Sequence, residues 1–214
     1  MIKFFLLFLL LTSCSARDYI EAPIVIYQTI KGSDLDITES FVNSKEFSFI
    51  KINIGRNIVA TMTLSKIDNE VYEWVGADSS QRIYTKYGKI IRTVGLDHDF
   101  EILDSSSYKI DDKYRQYFLR FYDPTGMFLV KIENKIMNIF DYNNQWFIKF
   151  NPLFKQPKFS AKPIFVILER FETEGFRWSG RNTYWLDENK NIIKSSQSIH
   201  PYLPKINIDY YYKY

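Results

Sequence analysis

The sequence predicts an all-β fold with minor α content, either an antiparallel β-sandwich or a curled, barrel-like sheet with few short helices. Three observations predict it. The dominant hydrophobic period is two, strand-sized runs recur about every 8 to 12 residues, and the gaps between them carry turn chemistry.

Taken in chain order, Asp36-Ile-Thr-Glu39 is the first element signal. Asp36 as cap, with Glu39 reaching back, predicts a short helix through Phe41 and Val42. Ser48, Ile50, Ile52 and Ile54 then alternate with Phe47, Phe49, Lys51 and Asn53. Ile58, Ala60, Met62 and Leu64 alternate with Val59, Thr61 and Thr63. Each set suits a strand with one buried face. Turn signals separate such runs: Gly55-Arg56-Asn57, Asp68-Asn69, Ala77 to Ser80, Tyr87-Gly88, Asp123 to Gly126 and Asp187 to Lys190. These residues tolerate positive φ or bond their own backbone. A second short helical turn is expected near Gly95 to Leu103. Residues 151–163 carry three prolines and little periodicity, which marks a linker or sub-division between an amino-terminal sheet and a carboxy-terminal segment. The last strand is read from Ile206, Ile208, Tyr210 and Tyr212, alternating with Asn207, Asp209, Tyr211 and Lys213.

The amino terminus tells a separate story. Lys3 precedes an unbroken apolar run, Phe4 to Leu11. As a helix that run rises roughly 12 Å against a hydrocarbon core of about 30 Å, so it is too short to span a bilayer and has the size of a signal-peptide core. Leu11-Thr12-Ser13-Cys14 follows and resembles the bacterial lipobox, in which the cysteine is acylated and becomes the first residue of the mature chain. The reading is therefore a signal peptide over 1–13 and one lipid-anchored β-rich domain over 14–214. Cys14 is the only cysteine of the chain, so acylation leaves no thiol for disulfides, zinc ligation or nucleophilic catalysis. Ser15, rather than Asp, after the cysteine resembles lipoproteins sent to the outer membrane.

Composition bounds the function classes. Net charge is +3 for 214 residues and +2 once Lys3 is removed, with no run of Lys or Arg, which gives no footprint for nucleic acid. Aromatic residues reach 18%. They suit a β-core drawn from an AT-rich coding bias better than a glycan-stacking surface.

Two segments carry more than composition. One is Trp74-Val-Gly-Ala-Asp78, then Ile83-Tyr-Thr85, then Tyr87-Gly-Lys-Ile-Ile-Arg92-Thr-Val-Gly-Leu96. The other is Phe176-Arg-Trp178, then Arg181-Asn182-Thr-Tyr184-Trp185-Leu-Asp187, then Lys194-Ser-Ser-Gln197-Ser-Ile-His-Pro201. Together with the lipobox they resemble the YjbF/GfcB family of outer-membrane lipoproteins. Lys89 stands where that family often has Arg, and Glu188-Asn-Lys190 where a glycine-containing turn is common. The resemblance implies an accessory protein for capsule or exopolysaccharide rather than an enzyme. It also implies a lipid anchor at the outer membrane and, as partners, polysaccharide-export proteins or the polysaccharide itself; no cofactor is assigned. Trp74, Asp78, Arg92, Trp178, Asn182, Tyr184, Trp185 and Gln197 become candidate ligand or partner contacts. Trp74, Trp178, Tyr184 and Trp185 also have a packing explanation, since buried aromatic pairs stabilise a β-core by about 0.5–1.5 kcal/mol beyond area burial.

Catalytic chemistry finds weaker support. A glycosidase needs two carboxyl groups roughly 5 to 10 Å apart. Asp97 and Asp99 flank His98 in a turn, where aspartates cap backbone amides. Glu172 and Glu174 suit a solvated edge, and Asp187 with Glu188 suits a hairpin turn. His200, before Pro201, is expected in an extended surface segment. Two histidines make a poor metal set. Ser195, Ser196 and Ser198 lack a nucleophile elbow, and no phosphate-binding glycine loop is present. No catalytic or metal residue is assigned. The alternatives are a lipid carrier with a β-basket cavity, which needs a continuous apolar lumen, and a glycan-cleaving enzyme.

Overall fold

The computed structural model describes residues 37–55, 58–103, 112–139 and 163–213. Cys14, the signal peptide and all of the expected linker at 151–163 except Pro163 lie outside the described residues. One short helix, α1 (Glu39–Asn43), precedes twelve strands: β1 (Phe49–Ile54), β2 (Ile58–Asp68), β3 (Val71–Val75), β4 (Arg82–Lys86), β5 (Lys89–Val94), β6 (Phe100–Leu103), β7 (Tyr114–Tyr122), β8 (Thr125–Asn138), β9 (Phe165–Thr173), β10 (Ser179–Leu186), β11 (Ile192–Gln197) and β12 (Ile206–Tyr211). Every pairing is antiparallel between chain neighbours, and β1 pairs with β12 to close the barrel. Of the two forms expected, the curled and barrel-like one is found.

The alternations decide which side chains fill the interior. Ile50 and Ile52 of β1, Met62 of β2 and Ile206, Ile208 and Tyr210 of β12 join one core with Trp74, Ile83, Phe100 and Phe121. On the other face Phe49 stacks on Tyr211 at 4.6 Å, and Ile37, Phe41 and Val42 cover that pair. The helix is therefore a patch over the closing seam. Its cap is Thr38, whose Oγ1 accepts from Phe41 N at 3.2 Å, and not Asp36. Thr38 holds the extended conformation that a cap needs, two residues closer to the apolar pair being buried.

The turns obey their chemistry. Asn69, Glu70, Tyr87 and Gly88 all take positive φ in two-residue connections. Gly95 does the same at φ 80, but the segment that follows is strand rather than helix. Phe100 and Ile102 alternate into the core, which gives β6 more burial than one helical turn could.

A round barrel of twelve strands, spaced about 4.8 Å and tilted near 40°, would be roughly 24 Å across. This one is pressed together. β5 and β11 stand six strands apart in either direction round the ring, yet Ile90 N donates to the side chain of Gln197 at 2.9 Å. One glutamine spans the gap between opposite walls.

Candidate functional site

The crossing point is built around a polar line inside the apolar barrel. Gln197 Nε2 donates to Gly88 O at 2.8 Å and to Ser195 Oγ at 2.9 Å, while its Oε1 accepts from Ile90 N. Tyr210 Oη also donates to Gly88 O, at 2.9 Å. One residue on, Lys89 Nζ meets both Glu169 oxygens at 2.7 Å, and Asn182 Nδ2 donates to Glu169 Oε1 at 2.7 Å. Asn182 Oδ1 in turn accepts from Ser198 N at 2.7 Å. Side-chain exposure of Lys89 and Glu169 is 3% and 0%, so the pair is sealed from water.

Burying an ion pair is costly unless the remaining donors and acceptors are matched. Here they are. Burial alone would pull the Lys89 ammonium down, but the charge of Glu169, Tyr117 and the hydrogen bonds they accept hold it above its ordinary value. Burial raises the Tyr117 and Tyr210 hydroxyls, which keeps both neutral. Every polar group on this line is fixed by another, and the line joins β5 to β9, β10, β11 and β12. Its chemistry is positional: it sets the register of two walls that no backbone ladder connects.

The eight candidate contacts fall into two groups. Trp74, Asn182, Tyr184 and Gln197 point into the barrel and are buried. Trp74 Nε1 donates to Thr85 Oγ1 at 2.8 Å, and Tyr184 is surrounded by the polar line. The other four do not join them. Trp185 packs with Val166 and Ile193 on the opposite face of β10, and Asp78 Oδ1 accepts from Ser80 N in a turn. Arg92 is exposed with its guanidinium 5.3 Å from the Tyr84 ring centre, and Trp178 lies half-buried against Phe171 and Phe121. Glu169 and Tyr117, not singled out in the sequence, complete the line with Lys89 and Ser195, which the sequence drew attention to without a contact role. A basic position at 89, Lys here and often Arg in the resembled block, was the available signal.

A second cluster sits beside Phe121 and Trp178. His98 and His200 stack with ring centres 4.7 Å apart and planes 2° apart, with Tyr202 5.5 Å from each. His200 is not on the surface: it is 1% exposed, because residues 198–200 run inward after β11 and its ring is wedged against Phe121 at 4.3 Å. Its Nδ1 accepts from Tyr202 N at 3.2 Å. Burial, then the nearby His98, lowers its pKa to about 4. Among the described residues, no three metal-ligating side chains come together.

Three of the carboxylates weighed for catalysis, Asp99, Asp187 and Glu174, are engaged in structure. Asp99 accepts from the amides of Gly95 and Leu96 at 2.7 and 3.1 Å. Asp187 Oδ1 accepts from Asn189 N and Asn191 N at 2.9 and 2.8 Å, closing its hairpin. Glu174 pairs with Lys131.

Comparison with known proteins agrees with the sequence motifs. Residues 161–210 match the family described as "Group 4 capsule polysaccharide lipoprotein gfcB, YjbF". This bears out the resemblance and covers β9 to β12; the block from Trp74 to Leu96 lies outside the matched residues. No curated protein matches the chain. Among solved structures, the hypothetical lipoprotein YmcC from Escherichia coli (K12) is similar at 12% identity and a TM-score of 0.63, over 85% of this chain and 91% of that one. At that identity the likeness concerns the fold.

Proposed function

We propose that this chain, whose residues 161–210 match the YjbF capsule-lipoprotein family, is a non-catalytic lipoprotein that assists assembly or export of capsule or exopolysaccharide by binding partner proteins or the glycan. It works from the periplasmic face of the outer membrane, tethered by acylated Cys14. No helix among the described residues is long and apolar enough to cross a membrane, so a lipid on Cys14 supplies the attachment in this reading.

The family match carries the proposal, and the filled interior supports it. Trp74, Phe100, Phe121 and Tyr184 occupy the space that a carried lipid would need. The apolar cavity near α1, β1 and β2 is about 230 Å³, below the 300 to 1,000 Å³ (roughly) typical of ligand cavities. A rigid, packed barrel on a lipid tether suits display of an outer surface to a partner.

Deletion of the gene, with surface polysaccharide measured before and after, tests the proposal. Reduced or mis-secreted polysaccharide, restored by the intact gene, is expected. Unchanged polysaccharide refutes it.

A further inference from the structure

The chain has two histidines, and the fold brings both together from positions 98 and 200. Their rings lie in parallel planes, so the in-plane lone pairs cannot converge on one ion, and the stack is no metal clamp.

What the pair does hold is the connection between β11 and β12, residues 198–205. Its ends are fixed to strands: Ser198 N donates to Asn182 Oδ1 at 2.7 Å, and Lys205 O accepts from Gly55 N at 3.3 Å. In its middle the backbone bonds stay within the connection, Tyr202 N donating to His200 Nδ1 and Leu203 N to His200 O. Side chains tie that middle to the barrel. Leu203 packs on the core, and the His200 ring sits between Phe121 and His98.

A histidine is a costly wedge if filling space is its whole task. Because Nδ1 accepts from the Tyr202 amide, Nε2 carries the proton of the neutral ring, and Nε2 is buried without a hydrogen bond. A phenylalanine there would carry no such penalty. The groups facing the ring set how hard a second proton is to add. From the β5–β6 connection comes His98, whose charge opposes another; Asp99 beside it is engaged by the amides of Gly95 and Leu96. From the β7–β8 turn comes Asp123, which favours a charge on His200 but is largely exposed and lies 3.9 Å from His98 Nδ1. Tyr202, on the connection itself, is exposed. Burial first, and then His98, outweigh Asp123. The added proton would also occupy Nδ1 and set two donors against each other at the Tyr202 amide.

We propose that the His98–His200 stack is a proton-operated catch, which holds the 198–205 connection closed while His200 is neutral and releases it on protonation, uncovering Phe121 and the Trp178 ring packed on it. Release is local because the ends of the connection stay bonded to strands while its middle hangs on side chains. The catch does not depend on the capsule role; it gives the barrel a second state that acid selects.

The full chain in detergent is followed by hydrogen exchange and by NMR of its two histidine rings, from about pH 7.5 to about pH 4.5. Amides of the connection, those of Tyr202 and Leu203 above all, should open more as pH falls, by up to about tenfold per pH unit after correction for intrinsic rates. β9 and β10 should stay protected over the same range, and an apolar dye should bind in step with the opening. His200→Phe keeps a ring against Phe121 and should abolish the pH response of the connection. Should that variant not fold, His98→Phe keeps a stacked ring, removes the opposing charge and should shrink the response. Exchange indifferent to pH, a response that survives His200→Phe or is unaltered by His98→Phe, a dye that gains no binding, or strands that open together with the connection overturns the inference.

Discussion

Gly88 and Ile192 meet across the width of the barrel so closely that a β-carbon on the glycine would lie 2.5 Å from Ile192 Cγ2. Gly88 also has φ +70, so the position excludes a side chain on two independent grounds.

Gly88→Ala should destabilise the fold by about 2–4 kcal/mol, through steric overlap added to left-handed backbone strain. Gly175→Ala is the control, with φ +77 and nothing within 4 Å, and should cost only about 1 kcal/mol. Chemical denaturation of both variants measures the difference. Equal losses would mean the walls are not in contact. Ile192→Ala in the Gly88→Ala background should recover part of the loss.

Glu169→Leu leaves the Lys89 ammonium sealed without its partner and should cost about 3–5 kcal/mol. The double variant Lys89→Met/Glu169→Leu should recover most of that, since an apolar pair of similar volume carries no desolvation penalty. A double-mutant cycle by urea unfolding checks this. Simple additivity of the two losses would show that the charges do not act on each other.

His200 makes the fold acid-sensitive. Its folded pKa is about 4 against an ordinary 6.5, so between those values the unfolded chain binds more protons. The stability conferred by the neutral ring is complete above about pH 6.5 and is lost as pH falls through 4, up to about 3 kcal/mol in all. An imidazolium would also carry a proton at Nδ1, where the Tyr202 amide already donates. His200→Phe should keep the packing against Phe121 and flatten the stability profile over that window. A profile of unchanged slope would place the sensitivity elsewhere.

Mass spectrometry of the membrane-extracted protein should find the mature amino terminus at Cys14 with fatty acid on that residue. Cys14→Ser should release the chain from the membrane fraction. Another terminus, or an unmodified sulfur, contradicts the tether.

Strand positions were legible because alternation is a local property. Ile58 to Leu64 and Ile206 to Tyr212 each declare a face, and Asp187 and Asp99 declare their turns within four residues. What alternation cannot express is which strands face each other across the interior. Lys89 and Glu169 lie 80 residues apart, and nothing near either announces the other. His200 was misplaced for the same reason. A histidine before proline reads as an extended surface residue until Phe121 and His98, brought in by distant strands, enclose it. The distinction between sandwich and barrel rests on one pairing, β1 with β12, that no short window contains.

That last-to-first pairing sets an order of events for the molecule's making. A chain delivered amino end first presents β1 early; β2 covers one of its edges, and the other keeps a row of unmatched amides and carbonyls until residues 206–211 arrive. Such long-range closure is slow, and an unmatched strand invites the wrong neighbour while it waits. The α1 patch over Phe49 and Tyr211 can seat itself only afterwards, as the latch on a seam already joined. Loss of the final few residues would therefore expose the beginning of the fold as much as its end.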